Sequence, residues 1–323
     1  MSAPSHTPAP RSPRERLAAP GDIDHHVADL TATASADVTL QQYQDRLMAS
    51  GQWFPMDGDP EALLGTLIEQ NSTGPLRLGY GAWRDLLLGV QFENGKRELI
   101  TAGGRTVKNV AGYDLTKFMI GQTGVFGKIV TLTTRTYRKP DNALLARFTP
   151  NPRLINRLMP SDCRPQWAVV TKDALLCGYL SDQRTIDFYA HALKEFSPRE
   201  VQRRSVADDI DHRASLWRGE GEITYRASVP PARVQDFAEA ASLLNWAADA
   251  AFGIVIGGCS KQDINLLRKV ASELGGSVTF RNGAGVIADL TSESVEHDIL
   301  ERLKHAFDPE RRLASLPTLA CES

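Results

Sequence analysis

The residues with the clearest chemical potential lie between Gly95 and Pro140. Seven glycines stand there, at 95, 103, 104, 112, 121, 124 and 127. Glycine lacks a Cβ, so it tolerates positive φ and lets the backbone approach a neighbour closely. Gly121, Gly124 and Gly127 recur at three-residue spacing and run into Lys128–Thr136, whose Ile, Val and Thr content predicts a strand. A glycine turn leading into a strand can aim backbone N–H groups at a flat or anionic ligand. By spacing alone, a tight turn in an ordinary β-rich domain explains the pattern equally well.

The other reactive side chains form weaker patterns. Seven histidines occur, at 6, 25, 26, 191, 212, 297 and 305. Only His212 sits in a carboxylate cluster, beside Asp208, Asp209 and Asp211; a surface position accounts for it more simply than catalysis or metal binding. Glu293 and Glu296 read as a solvated helix face. Cys163, Cys177, Cys259 and Cys321 form no CxxC and no Cys/His spacing, so neither zinc nor an iron–sulfur cluster is expected. No catalytic base can be named.

A longer string carries more information than the glycine triplet. Gly103-Gly104-Arg105, Lys108-Asn109, Gly112-Tyr113-Asp114-Leu115, then Gly121, Gly124, Phe126, Gly127 and Ile129, match GGR-x-x-KN-x-x-GYDL followed by G-x-x-G-x-[LF]-G-x-I. On these residues the chain resembles the PCMH-type (vanillyl-alcohol oxidase) FAD-binding flavoprotein family, and within it the E subunits of bacterial glycolate oxidases. Upstream, Gly74, Arg77, Gly79 and Gly81 also fit, and the likeness runs from about Asp24 to Pro140. Weaker traces are Leu216-Trp217-Arg218, Val229-Pro230-Pro231 and Phe307-Asp308-Pro309.

The resemblance implies FAD as cofactor and oxidation of glycolate or a related 2-hydroxy acid. It assigns flavin contacts to the Gly121–Ile129 loop and to the GGR–GYDL string, including Lys108, Asn109, Gly112, Tyr113 and Asp114. It places Pro55, Asp57, Gly65 and Thr66 along the ring and ribityl side, with Gly74, Arg77, Gly79 and Gly81 nearby. It implies as partners a D-type flavin subunit and an F-type iron–sulfur subunit, in a cytoplasmic complex that is peripheral to the inner membrane at most. Two departures argue against full competence. The family's pyrophosphate loop has no counterpart before Asp24, and Thr66 stands where the family pairs glycines, with Glu69 close behind. An FAD-free scaffold that keeps the fold and docks a catalytic flavin subunit is therefore the alternative.

The elements that must hold these residues follow from periodicity. Residues 1–23 read as a Pro-rich disordered arm, with prolines at 4, 8, 10, 13 and 20. Val27–Val38 is strand-like, and Thr39–Ser50 reads as a helix capped by Thr39 with Leu40, Tyr43 and Leu47 on one face. Glu61–Gln70 reads as helix, Gly74–Gly81 as loop, and Asn94-Gly95 as a hairpin turn. Beyond Pro140, strands near 167–171, 174–180, 223–229, 252–256, 278–280 and 286–290 alternate with helices near 185–196, 233–244, 261–274 and 295–307. The expected class is α+β: a truncated PCMH-type domain over 24–140, then an α+β cap domain with an antiparallel sheet over 141–323. With a lobe missing, the first unit is expected to expose an apolar face.

Bulk properties exclude little else. The 323 residues are 42% hydrophobic and 24% charged, with net charge −2, which is ordinary for a globular chain and gives no call for nucleic acid. No apolar run is long enough to span a bilayer, and the N-terminus lacks a secretory h-region.

Overall fold

A computed structural model describes residues 19–104, 114–243, 245–282, 285–287 and 295–316. Lys108, Asn109, Gly112 and Tyr113 lie outside the described residues.

Two antiparallel sheets organise the chain, in keeping with the expected α+β class. The strands of the first part are β1 (Ile23–His26), β2 (Thr31–Ser35), β3 (Gln52–Trp53), β4 (Leu87–Glu93), β5 (Leu99–Gly103), β6 (Lys128–Arg135) and β7 (Tyr137–Arg138). They form a five-stranded sheet of order β1-β2-β6-β4-β5 and a small β3-β7 ladder. Thr39 caps the Leu40–Met48 helix as its text predicts, accepting from the Gln42 amide in a reciprocal capping box. Leu40, Tyr43 and Leu47 then pack on Ala34, Val90 and Leu132 of the sheet, together with Phe54, Ile68 and Trp83. Asn94-Gly95 does turn β4 into β5. The stretch expected as loop over 74–81 contains a single-turn helix, Arg77–Tyr80, because local amide–carbonyl bonds close there.

Among the described residues, the side of this sheet away from the helices is mainly polar and not the bare apolar face expected. Thr33 bonds Thr133 at 2.8 Å there, and Gln91 links Thr131 and Thr101. These residues are cross-strand neighbours on one face, with Leu99 exposed at its edge, while Leu132 and Val90 occupy the other.

The remaining strands are β8 (Asn142–Phe148), β9 (Trp167–Thr171), β10 (Leu175–Ser181), β11 (Glu200–Arg204), β12 (Ile223–Ser228), β13 (Trp246–Asp249), β14 (Ile254–Cys259), β15 (Ser277–Asn282) and β16 (Gly285–Ile287). They make a nine-stranded sheet of order β11-β8-β10-β9-β13-β14-β12-β15-β16. One face is covered by the Gln183–Ala192, Val234–Ala240 and Ile264–Glu273 helices, which bury Tyr179, Phe237 and Phe280. The opposite face carries Leu145, Trp167, Val169, Leu176 and Ile256, and packs on Trp53 and Leu76 of the first part. The candidate site lies along this seam. The Val295–Phe307 helix returns to the first core, where the Phe307 ring stacks on Phe118 at 5.5 Å.

Candidate functional site

The seam is closed by a buried charge relay. Asp57 follows the β3 turn, where Pro55 is buried, and its side chain reaches two ways. Its Oδ2 accepts the Leu76 amide at 2.7 Å, and its Oδ1 accepts Nε–H of Arg213 at 2.9 Å. Arg213 projects from the Val206–Leu216 helix, whose first turn is capped by the Ser205 hydroxyl. Its Nη1 pairs with Asp209 one turn earlier, and Asp209 also accepts from the Trp167 indole at 3.1 Å. Burial works against the Arg213 cation, yet the two carboxylates outweigh it and hold its pKa above the ordinary value. Burial pushes Asp209 upward despite Arg213. The signal for this relay was an Asp–Arg pair at i, i+4 in helical text. Its third member, Asp57, is 156 residues away and was not legible as a partner.

Two cavities flank the relay. One, of 480 Å³, lies between the Leu40–Met48 and Val206–Leu216 helices and is walled by Trp53, Met56 and Trp217. The other, of 370 Å³, lies between the Gln70–Thr73 loop and the strand face bearing Thr224, Arg226, Ile256 and Arg281. Trp217, from the Leu216-Trp217-Arg218 trace, separates them and donates its indole N–H to the Thr73 carbonyl at 3.1 Å. His212 on the same helix is half-buried, and burial together with Arg204 and Arg213 lowers its pKa. Its ring lies against Trp167, with centroids 6.4 Å apart.

The remaining candidate residues are spread over the first part of the chain. A Cβ on Gly65 would meet Ala36 Cβ at 2.9 Å, and on Gly74 it would meet Asp57 Cβ at 2.4 Å; both glycines admit protein neighbours. Thr66 is half-buried beside Gly65. Gly79 faces the Gln166 backbone, and Gly81, at φ +90°, ends the Arg77–Tyr80 helix. Asp114 caps the Leu115–Phe118 helix and pairs with Lys117 at 2.8 Å. Gly121 and Gly124 take φ of +82° and +79°, which a side chain would strain, and Gly127 lets Phe92 approach. Phe126 and Ile129 are buried.

The amide groups of this loop have protein acceptors. Gly121 N–H donates to Ile68 O at 2.9 Å, Thr123 N–H to Glu69 O at 3.0 Å, and Val125 N–H to Gln122 O at 3.0 Å. Phe126 N–H donates to the Gln122 side chain at 2.8 Å. The Glu69 carboxyl lies near this loop, and burial raises its pKa against the influence of the Ile129 amide and Lys128. The Gly121, Thr123, Val125 and Phe126 amides are thus committed to protein acceptors and are not free to contact a cofactor.

Arg77 crosses the seam and lies over the Phe252 ring at 4.2 Å. Next to it Asp249 is buried, accepting the Ala251 and Phe252 amides at 2.9 and 3.2 Å. Burial pushes its pKa from 3.8 to about 6, against those amides and the nearby Arg77 and Arg226. The folded chain thus binds more protons than the unfolded chain between these values, so stability falls as pH rises through that window. Asp249→Asn keeps the acceptor oxygen. It is expected to be more stable than the parent by about 1–3 kcal/mol at pH 7.5, with the difference vanishing near pH 4 in urea titrations. A difference independent of pH would refute this.

Comparison with known proteins places this geometry. No family model matches the chain. Alkyldihydroxyacetonephosphate synthase superposes with a TM-score of 0.62 over 91% of this chain and 65% of that one, at 12% identity, which establishes the fold. Glycolate oxidase subunit GlcE of Escherichia coli is 29% identical over 130 residues, 39% of this chain and 37% of its own length. Over this segment the chain is similar to PCMH-type flavoproteins. Other PCMH-type relatives are glycolate oxidase subunit GlcD of Bacillus subtilis, 31% identical over 37% of this chain and 26% of its own, and the mitochondrial D-lactate dehydrogenase [cytochrome] of Arabidopsis thaliana, 28% identical over 38% and 21%. The matched segment spans little more than a third of the curated relatives at most. These family members are FAD-linked dehydrogenases and oxidases of 2-hydroxy acids.

Proposed function

We propose that this chain is a non-catalytic, E-type subunit of an FAD-linked 2-hydroxy acid oxidoreductase of the glycolate oxidase kind. It keeps the PCMH-type frame and docks a D-type catalytic flavin subunit, with an F-type iron–sulfur subunit as electron acceptor. The observation that carries this is the commitment of the Gly121, Thr123, Val125 and Phe126 amides to protein acceptors. A cofactor group contacting these amides would have to displace such bonds, each contributing roughly 0.5–1.5 kcal/mol. His212, the histidine of the carboxylate cluster, lies against Trp167, and the seam carboxylates Asp57, Asp209 and Asp249 are paired or bonded.

The FAD-binding reading retains the GGR-x-x-KN-x-x-GYDL string as its support. One measurement decides between the two. The purified chain is mixed with excess FAD, desalted, and its visible spectrum recorded. The expected result is a colourless protein that co-elutes with a D-type flavin subunit when the two are co-expressed. Stoichiometric retained flavin would overturn the non-catalytic reading. Among the described residues no helix is long and apolar enough to cross a membrane.

A further inference from the structure

The cavity beside the Gln70–Thr73 loop carries two arginines that form no ion pair among the described residues. Thr224 and Arg226 point to one face of β12, two residues apart. Arg281 of β15 is the direct cross-strand partner of Thr224, so Arg281 and Arg226 are diagonal neighbours on that face. Like charges at this range destabilise a sheet unless an anion lies between them. Among the described residues, neither arginine forms an ion pair. Among the described residues the one side-chain hydrogen bond from Arg226 goes to the neutral Thr73 hydroxyl at 3.0 Å. Asp57 holds Arg213 and the Leu76 amide, Asp59 accepts the Glu61 amide, and Asp249, whose charge favours the Arg226 cation, accepts the Ala251 and Phe252 amides. Burial, then Arg281 and Arg77, draw the Arg226 pKa down to about 10 against Asp249.

We propose that this cavity is a binding site for a small dianion carrying hydroxyl groups. Two guanidinium groups match a doubly charged phosphate or dicarboxylate, which they grip through paired N–H donors. The hydroxyls of Thr73 and Thr224 suit ligand hydroxyls, and Ile256 and the Trp217 ring supply an apolar wall. A volume of 370 Å³ is that of a small-molecule site. The site is independent of the subunit reading: it needs no flavin and no partner chain.

The test uses the whole chain alone. Inorganic phosphate and malonate are titrated separately, with acetate and chloride at matched ionic strength, following tryptophan fluorescence and Tm. The expected result is saturable binding of one dianion, with quenching or enhancement of Trp217 emission and a raised Tm that acetate does not reproduce. The arm that saturates tells phosphate from dicarboxylate chemistry. Arg226→Gln and Arg281→Gln are each expected to weaken that binding at least tenfold while leaving the ligand-free Tm unchanged or higher, since a repulsion is relieved. If Arg226→Gln fails to fold, Arg281→Gln alone decides. Dianions that behave like acetate, or variants that bind like the parent, overturn the proposal. Retention of FAD would sink the non-catalytic reading and leave this site standing.

Discussion

Arg213→Met is expected to destabilise the folded chain by about 3–5 kcal/mol, the cost of breaking a buried ion pair from one side. The side chains of Arg213 and Asp209 are 2% and 1% exposed, so water cannot replace the lost partner. Asp57 would keep only the Leu76 amide, and Asp209 only the Trp167 indole. Urea denaturation at neutral pH measures the loss. Removing both carboxylates as well, in Asp57→Asn/Asp209→Asn/Arg213→Met, should recover a large part of it, because a neutral cluster leaves no orphaned charge. Acidification should narrow the gap, since Asp209 is already biased toward its neutral form by burial. A loss below about 1 kcal/mol would mean that apolar packing of Trp53, Leu76 and Trp167, and not the relay, holds the seam.

Lys304→Met is expected to cost a similar amount, about 3–5 kcal/mol, and to free the segment that follows it. Lys304 is buried, and its ammonium donates to Val125 O and Ala314 O at 2.8 Å and to Asp308 Oδ2 at 2.7 Å. Asp308 in turn accepts the Arg312 and Leu313 amides at 2.8 and 2.9 Å and fills the space over Gly95. One cation therefore ties the C-terminal helix, the following tail, the glycine loop and the β4–β5 hairpin. Burial alone would raise the Asp308 pKa, but Lys304 and the two amides win and hold it below the ordinary value. A depressed carboxylate contributes stability that is present above its unfolded pKa and lost as pH falls through its folded pKa. The parent should lose stability across that acidic range, and Lys304→Met should lose less, having little of that contribution left. Limited proteolysis should cleave the variant between Asp308 and Leu316 faster than the parent. Equal cleavage with unchanged urea midpoints would show that the Phe307 contacts suffice without the lysine.

The local features of this chain were legible because their causes are local. Thr39 and Gln42 sit three residues apart and cap a helix whose Leu40, Tyr43 and Leu47 share one face. Asn94-Gly95 between two apolar runs predicts a hairpin, and the hairpin is there. The long glycine string carries the resemblance to PCMH-type flavoproteins, and Gly103, Gly121 and Gly124 do take positive φ. The β8, β11 and β13 strands and the Val206–Leu216 helix escaped notice. Strands β8 and β13 become sheet only between neighbours on both sides, and β11 only as an edge on β8.

The amino-acid sequence by itself determined the family resemblance, the α+β class and the principal turns, because these rest on spacing within a few residues. What the glycine loop bonds to was decided only by the tertiary structure. An amide has no preferred acceptor until packing brings one near, and here packing brings Ile68, Glu69 and Gln122. The same holds for Arg213, whose partner Asp57 comes from the other sheet's side of the seam, and for Arg226 and Arg281, which become neighbours only through β12–β15 register. Charge and hydrogen bonding act over a few ångströms, and only the fold sets which residues are that close.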